Sequence, residues 1–397
     1  MEDNPSDARL IEVMVTTAGG DVFDVEQVER LSQAMERAGR DDLGVILLDL
    51  SLPDSQGIET FQKLHASSPR TPIIVLSGLN DTRIAVQAVH DGAQDYLIKG
   101  EVESQLLVRA MRYAIERKRM MEQLARYAEE LRLKNAQLEA DFAMARHIQQ
   151  VFLPSRYPVF PKGVLPEQSL LKFHHRYLPA AAVGGDFFDV FPITDTTAGV
   201  FICDVMGHGM RAALIAAIMR GLLEELMPFA SDPGKFLGEI NRSLHAILRR
   251  TDETFLATAF YLVADCEGEE VRFASAGHPS PFRVRGNRGP VELLKEHDAR
   301  HGPALGLFGK SAYPTCRCPM EDKDLFLLFT DGLYEANNSG EEEFGMQRLV
   351  EAVKTRAGAP VQDMFDQVLD EVRLFTGAKD FEDDVCLVGM EVSLPGK

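Results

Sequence analysis

The chain has 397 residues, 45% of them hydrophobic and 26% charged, with a formal net charge of −19. That length is too great for one ordinary core and predicts about two or three domains, while the charge disfavours nucleic acid as the main ligand, because phosphate backbones reward clustered Lys and Arg. No apolar run approaches the roughly 20 residues that span a bilayer, Met1–Pro5 shows no export signal, and five scattered cysteines (203, 266, 316, 318 and 386) predict reduced thiols and a cytoplasmic location.

Residues 45–50, Val-Ile-Leu-Leu-Asp-Leu, form an apolar run ending in an acid, as a buried parallel strand does. Ile73–Ser77 and Asp95–Lys99 repeat that form, with helix-like stretches at 58–67 and 82–91 between them. The alternation predicts a doubly wound α/β sheet with its active residues at the strand C-termini, where Asp49, Ser77 and Lys99 fall. An acid, a hydroxyl and an amine converging there could accept a phosphoryl group, sense it and neutralise it.

The stretch Leu47–Gly57 resembles the phosphoacceptor segment of response-regulator receiver domains. The resemblance implies that Asp49 is phosphorylated by a sensor histidine kinase, that Ser77 is the switch hydroxyl and that Lys99 binds the phosphate. Tyr96 becomes the switch aromatic, although it reads equally well as an ordinary half-buried strand residue. Glu2 and Asp3 match the acidic pair that holds Mg²⁺ together with Asp49. Receivers open with an apolar strand before that pair, and here the strand is absent. It is interior in the family's strand order, so its loss is expected to expose two unpaired edges and remove an apolar slat from the core. Either the true start lies several residues upstream, or the receiver is degenerate and weakly phosphorylated.

From about Glu103 to Phe152 there is no proline. Leu124, Leu131, Leu138, Ala145 and Phe152 recur every seven residues, with Met121, Ala128, Asn135 and Phe142 on the alternate seam. This two-seam heptad predicts a parallel dimeric coiled coil whose register Asn135 fixes, or else a lone amphipathic helix packed on a neighbour. Pro154 ends the helix. The expected domains are 1–102, 103–153 and 154–397.

Beyond the helix, four islands place an aspartate beside a glycine or a second acid: Gly184-Gly185-Asp186-Phe187-Phe188-Asp189, Asp204-Val205-Met206-Gly207-His208-Gly209, Thr330-Asp331-Gly332 and Glu382-Asp383-Asp384. Asp-Gly is also a common turn pair, so one island alone would read as a turn. Carboxylates at the ends of strands that share a sheet converge, however, and a cluster of them repels itself unless a hard divalent cation sits among them. The expected chemistry is metal-assisted hydrolysis, with a phosphate ester as substrate.

The order and flanks of these islands, with Ala276-Gly277-His278-Pro279-Ser280-Pro281 between them, resemble the SpoIIE-type branch of the PPM serine/threonine phosphatases from about Ala145 to the end. The resemblance implies an αββα sandwich whose acids bind two Mn²⁺ or Mg²⁺ ions sharing a water, which the ions activate for in-line attack on phosphorus. Asp204 would bridge the ions, with the Val205 carbonyl as a further ligand. Asp186 would bind one ion, and Asp331 and Asp383 the other, which makes Asp186 and Asp204 the catalytic core. Asp189 and Asp384 could each orient a ligand or water. His208 could be a general acid or cap the following helix, while His278 is expected to fix a turn.

The leading expectation is a phosphorylation-controlled phosphatase acting on phosphoserine of an anti-sigma-factor antagonist of the STAS type. A catalytically silent response-regulator adaptor is the alternative, and loss of a metal acid would be its signature. A transcription factor would need a basic recognition helix that the chain lacks.

Overall fold

The computed structural model describes the chain except residues 41, 79–81, 208, 250–254, 287–288, 295–301 and 395–397, and the side chains of Asp21 and Thr82. Two compact units result, Met1–Gln137 and Leu138–Lys397.

In the first unit, α1 (Pro5–Gly19) starts where the Asn4 side chain accepts from the Ser6 amide, with proline at the first helical position. There follow α2 (Leu31–Ala38), β1 (Ile46–Asp49), the hairpin β2 (Ser51–Leu52) and β3 (Ser55–Gln56), α3 (Ile58–Ser67), β4 (Ile73–Ser77), α4 (Thr82–His90) and β5 (Asp95–Ile98). A parallel sheet runs β1-β4-β5, with Ile46 opposite Ile73 and Ile74 opposite Asp95. Strand alternation sends Leu48, Ile73 and Val75 to one face, against Phe61, Leu64, Ala85 and Ala88. Ile74, Leu76 and Leu97 face the other way, against Val15, Leu107 and Met111. Both faces are therefore covered, as a parallel sheet requires.

Strand β1 lies at the edge of this sheet. The Met1 ammonium donates to the Leu47 carbonyl at 2.9 Å, the Asp49 amide to the Met1 carbonyl at 3.2 Å, and the Glu2 amide to the Val28 carbonyl at 3.1 Å. One residue thus pairs in strand fashion beside β1, next to a cavity of about 1280 Å³ whose lining includes Ile11, Val28, Val45 and Met111. The sequence predicts two edges exposed by the missing strand; among the described residues β1 is such an edge, met by Met1 alone. Residues 23–28 form no strand, because a strand there would need a partner between it and β1.

Helix α5 (Ser104–Phe152) begins in the first unit and ends in the second. Its seam side chains Leu124, Leu131 and Leu138 are exposed, and among the described residues no helix is long and apolar enough to cross a membrane.

The second unit contains β6 (Leu171–Leu178), β7 (Phe187–Pro192), β8 (Thr197–Val205), α6 (Met210–Glu225), α7 (Pro233–Leu248), β9 (Ala257–Asp265), β10 (Glu270–Ala276), β11 (Phe282–Val284), β12 (Val291–Leu293), β13 (Cys316–Pro319), β14 (Leu325–Phe329), α8 (Gly345–Arg356), α9 (Val361–Thr376) and β15 (Val385–Val392). Two antiparallel sheets, ordered β13-β10-β9-β8-β7 and β12-β11-β14-β15-β6, pack face to face. Phe188, Ile202, Phe260 and Leu262 of the first meet Phe173, Phe326, Val388 and Met390 of the second. Helices α6 and α7 cover Phe201, Cys203 and Tyr261 on one outer face, and α8 and α9 cover Phe282, Phe329 and Leu387 on the other. The result is an αββα sandwich. The central strands are buried on both sides, which is why β8 and β14 read as unbroken apolar runs ending in acids. Asp232 caps α7 by accepting from Gly234 and Lys235, with Pro233 at the first helical position as its sequence predicts. Cys203, Cys266, Cys318 and Cys386 are free thiols.

Candidate functional site

Antiparallel pairing gathers the acidic islands of the second unit. The end of β8 lies beside the start of β7, with Cys203 opposite Phe187, so Asp204 and Asp186 are neighbours. The end of β14 lies beside the start of β15, with Phe329 opposite Leu387, so Asp331 and Asp383 meet in the same way on the other sheet. Both pairs stand at one end of the sandwich.

Their mutual influence shows in their ionisation. Burial and the Asp204 charge push Asp186 well above the usual carboxylate range. Burial, reinforced by Asp331, Asp383 and Asp384, raises Asp204 to about 7. Burial and Asp383 raise Asp331. Among the described residues no ion pair reaches Asp186, Asp204, Asp331 or Asp383. Asp186 is buried, Asp204 and Asp331 are half-buried and Asp383 is exposed. Carboxylates gathered with no basic partner among the described residues, offering only hard oxygen donors, fit a divalent cation.

The supporting shell is specific. Thr330, fully buried, donates its hydroxyl to Asp186 Oδ2 at 2.7 Å and accepts from the Cys386 amide at 2.9 Å. Asp384 accepts from the amides of Ala180 (2.8 Å) and Gly185 (2.5 Å), so its carboxylate holds the loop before Asp186. That loop needs its glycines. A Cβ at Gly184 would lie 2.5 Å from the Tyr177 hydroxyl and 2.6 Å from Asp384 Oδ2, and one at Gly185 would lie 2.8 Å from the Val205 carbonyl. Glycine follows Asp331 for a similar reason, since a Cβ at Gly332 would sit 2.2 Å from the Asp384 carbonyl oxygen.

Not every expected residue joins the cluster. Asp189 shares a face of β7 with Phe187 under the two-residue alternation of a strand, so it turns towards α6. There its carboxylate accepts from the Val190 amide and lies 3.6 Å from Arg220. His278 is buried behind β9, with Nδ1 2.8 Å from the Thr258 hydroxyl, and burial drives its pKa down to about 3. It braces the turn after β10 against the strand that flanks Asp204. His208 lies outside the described residues.

In the first unit, Glu2, Asp3 and Asp49 each offer a carboxylate oxygen within 4.8 Å of the others, a grouping suited to one hard cation. Lys99 Nζ lies 2.5 Å from both Glu2 Oε2 and Asp49 Oδ2. Burial works to lower the Lys99 ammonium, but its hydrogen bonds to Asp49 and Glu2 outweigh this and raise it. Ser77 ends β4 with a buried hydroxyl that has no hydrogen-bond partner among the described residues, and Tyr96 is half-buried against the core.

The Thr330 hydroxyl bridge is absent from the sequence reading, although a threonine between an apolar strand and an acid is a usable signal. The contact of Gln149 with Gly184, at 2.7 Å, has no such local signal, since 35 residues separate them.

Known proteins resemble both units. The family model described as Stage II sporulation protein E (SpoIIE) matches residues 194–393, and the response regulator receiver domain model matches 1–111. The chain is 25% identical over 217 residues to phosphoserine phosphatase RsbP of Bacillus subtilis (strain 168), covering 54% of this chain and 51% of RsbP. It is 24% identical over 248 residues to phosphoserine phosphatase RsbU of the same organism, covering 61% of this chain and 69% of RsbU. It therefore spans about half the length of RsbP and about two thirds of RsbU. The SiaA-PP2C domain of Pseudomonas aeruginosa superposes with a TM-score of 0.55 at 21% identity, over 66% of this chain and 99% of that one, a likeness of fold.

Proposed function

The chain belongs to the SpoIIE family and carries a response-regulator receiver domain, and on that premise we propose that it is a phosphorylation-regulated, metal-dependent serine/threonine protein phosphatase of a partner-switching pathway. The observation that carries this reading is the convergence of Asp186, Asp204, Asp331 and Asp383 from two sheets, with no basic side chain among the described residues to balance them. Asp186, Asp204, Asp331 and Asp383 would hold the divalent cations, with the Val205 carbonyl as a further donor. Mn²⁺ or Mg²⁺ bound there would neutralise phosphate charge and acidify the water that attacks phosphorus. Thr330 keeps the Asp186 carboxylate aimed, and Asp384 holds the Gly184–Asp186 backbone.

The substrate class is a phosphoserine on an anti-sigma-factor antagonist of the STAS type, acted on in the cytoplasm. A sensor histidine kinase phosphorylates Asp49, with Mg²⁺ held by Glu2, Asp3 and Asp49 and the product phosphate neutralised by Lys99. Ser77 and Tyr96 transmit that change. The exposed seam of α5 supports a parallel coiled-coil homodimer, whose pairing orders the loop at Gly184–Asp189. A silent adaptor is the weaker reading because every metal acid is present.

The direct test is release of phosphate from a phosphoserine-bearing STAS protein in the presence of Mn²⁺. Release by the wild type that Asp331→Asn abolishes supports the proposal, and equal release by both proteins would refute the assigned site.

A further inference from the structure

The last turns of α5 carry one buried polar side chain. Gln149 is 8% exposed, whereas residues 146–148, 150 and 151 are exposed. Its amide makes two hydrogen bonds to a single residue: Nε2 donates to the Gly184 carbonyl at 2.7 Å, and Oε1 accepts from the Gly184 amide at 3.1 Å. One turn earlier on the same face, Arg146 Nε donates to the Ala182 carbonyl at 2.7 Å. The helix thus grips the backbone at 182 and 184, two residues short of Asp186. On its far side the loop is gripped by Asp384, through the Ala180 and Gly185 amides. Gly184 can occupy this position only because it has no side chain.

From this clamp we infer that Gln149 is a positioning residue for the metal site: it fixes the loop that presents Asp186, so the placement of α5 sets the affinity of the site for its cation. A glutamine suits the role because it offers a donor and an acceptor side by side, matching the carbonyl and amide of one residue. Neither Glu nor Met could make both bonds. Helical side chains point in directions set by the helix turn, so rotating or sliding α5 would withdraw Gln149 and Arg146 together. The coupling needs no new contact to the substrate. It acts on Asp186 through the backbone of Gly184 and Gly185.

The inference rests on the proposed metal-dependent reading, and calorimetric titration of Mn²⁺ into the full chain keeps the two apart. No Mn²⁺ binding by the wild type overturns both. If the wild type binds Mn²⁺ but turns over no phosphoester, the phosphatase reading fails, and the Gln149 inference is still decided by affinity. Gln149→Met is expected to weaken Mn²⁺ binding about 10- to 100-fold, as loss of a group that orients a ligand does. Turnover at saturating Mn²⁺ should be largely retained. Unchanged Mn²⁺ affinity in a folded Gln149→Met protein overturns the inference. A purely structural glutamine would lower the melting temperature and leave the affinity alone. If that variant does not fold, Arg146→Ala, which removes only the exposed tie to Ala182, decides: about a three- to tenfold loss of Mn²⁺ affinity supports the clamp, and no loss refutes it.

Discussion

Replacing Thr330 with valine keeps the side-chain shape and removes one hydroxyl. That hydroxyl is fully buried, donates to Asp186 Oδ2 at 2.7 Å and accepts from the Cys386 amide at 2.9 Å. Because the volume is conserved, no cavity term enters. A hydrogen bond to a carboxylate contributes about 1.5–3 kcal/mol, and an orphaned buried amide costs about 1–3 kcal/mol. The two losses share one hydroxyl, so their combined cost is set at about 2–4 kcal/mol. For a unit of this size that lowers the melting temperature by about 5–15 °C. Freed from Thr330, the Asp186 carboxylate also loses its aim, and Mn²⁺ affinity should fall about 10- to 100-fold. Thermal melts without added metal and Mn²⁺ titration calorimetry read the two effects separately. If Thr330→Val melts with the wild type and binds Mn²⁺ equally well, the hydroxyl bridge does not organise the site.

His278 predicts a pH dependence of stability. Its folded pKa is depressed to about 3 from an ordinary 6.5, so the unfolded chain binds a proton that the fold refuses. Above pH 6.5 the histidine contributes no slope, and as pH falls from 6.5 towards 3 stability is lost at about 1.4 kcal/mol per pH unit, or about 2 kcal/mol by pH 5. Denaturant titrations across pH 7 to 5 should show this slope, and His278→Gln should flatten it; an equal slope in both proteins would contradict the assignment. Leu131→Asp places a charge on the exposed seam of α5, where two copies would face each other in a paired helix. Sedimentation should then find a monomer whose phosphatase activity no longer responds to phosphorylation of Asp49. A dimer with unaltered control would remove the coiled coil from the mechanism.

The strands bearing the acids were legible because they are buried on both faces. Ala198–Cys203 and Leu325–Phe329 are continuous apolar runs, and in antiparallel sheets an acid at the end of one strand lies beside the start of its neighbour. The same logic, carried one step further, separates Asp189 from Asp186: Asp189 lies three residues past Asp186, an odd step in a strand, so it shares the face of Phe187 and looks towards Arg220. Other parts were beyond local pattern. Thr330 reaches Asp186 across 144 residues, and Gln149 reaches Gly184 across 35. Those contacts depend on how the sheets and the end of α5 stack, and residue periodicity carries no record of that. In the receiver unit the parallel strands were visible from their runs, whereas the pairing of Met1 with Leu47 and Asp49 rests on one residue and leaves no repeating pattern to read.

The central claim is that the converging aspartates form a working metal-dependent hydrolytic site. It is tested most directly by p-nitrophenyl phosphate hydrolysis with Mn²⁺ or Mg²⁺, comparing wild type with Asp204→Asn. Metal-dependent turnover in the wild type that the substitution abolishes is the predicted result. Turnover that survives Asp204→Asn, or that proceeds equally well after chelation of metal, would contradict it.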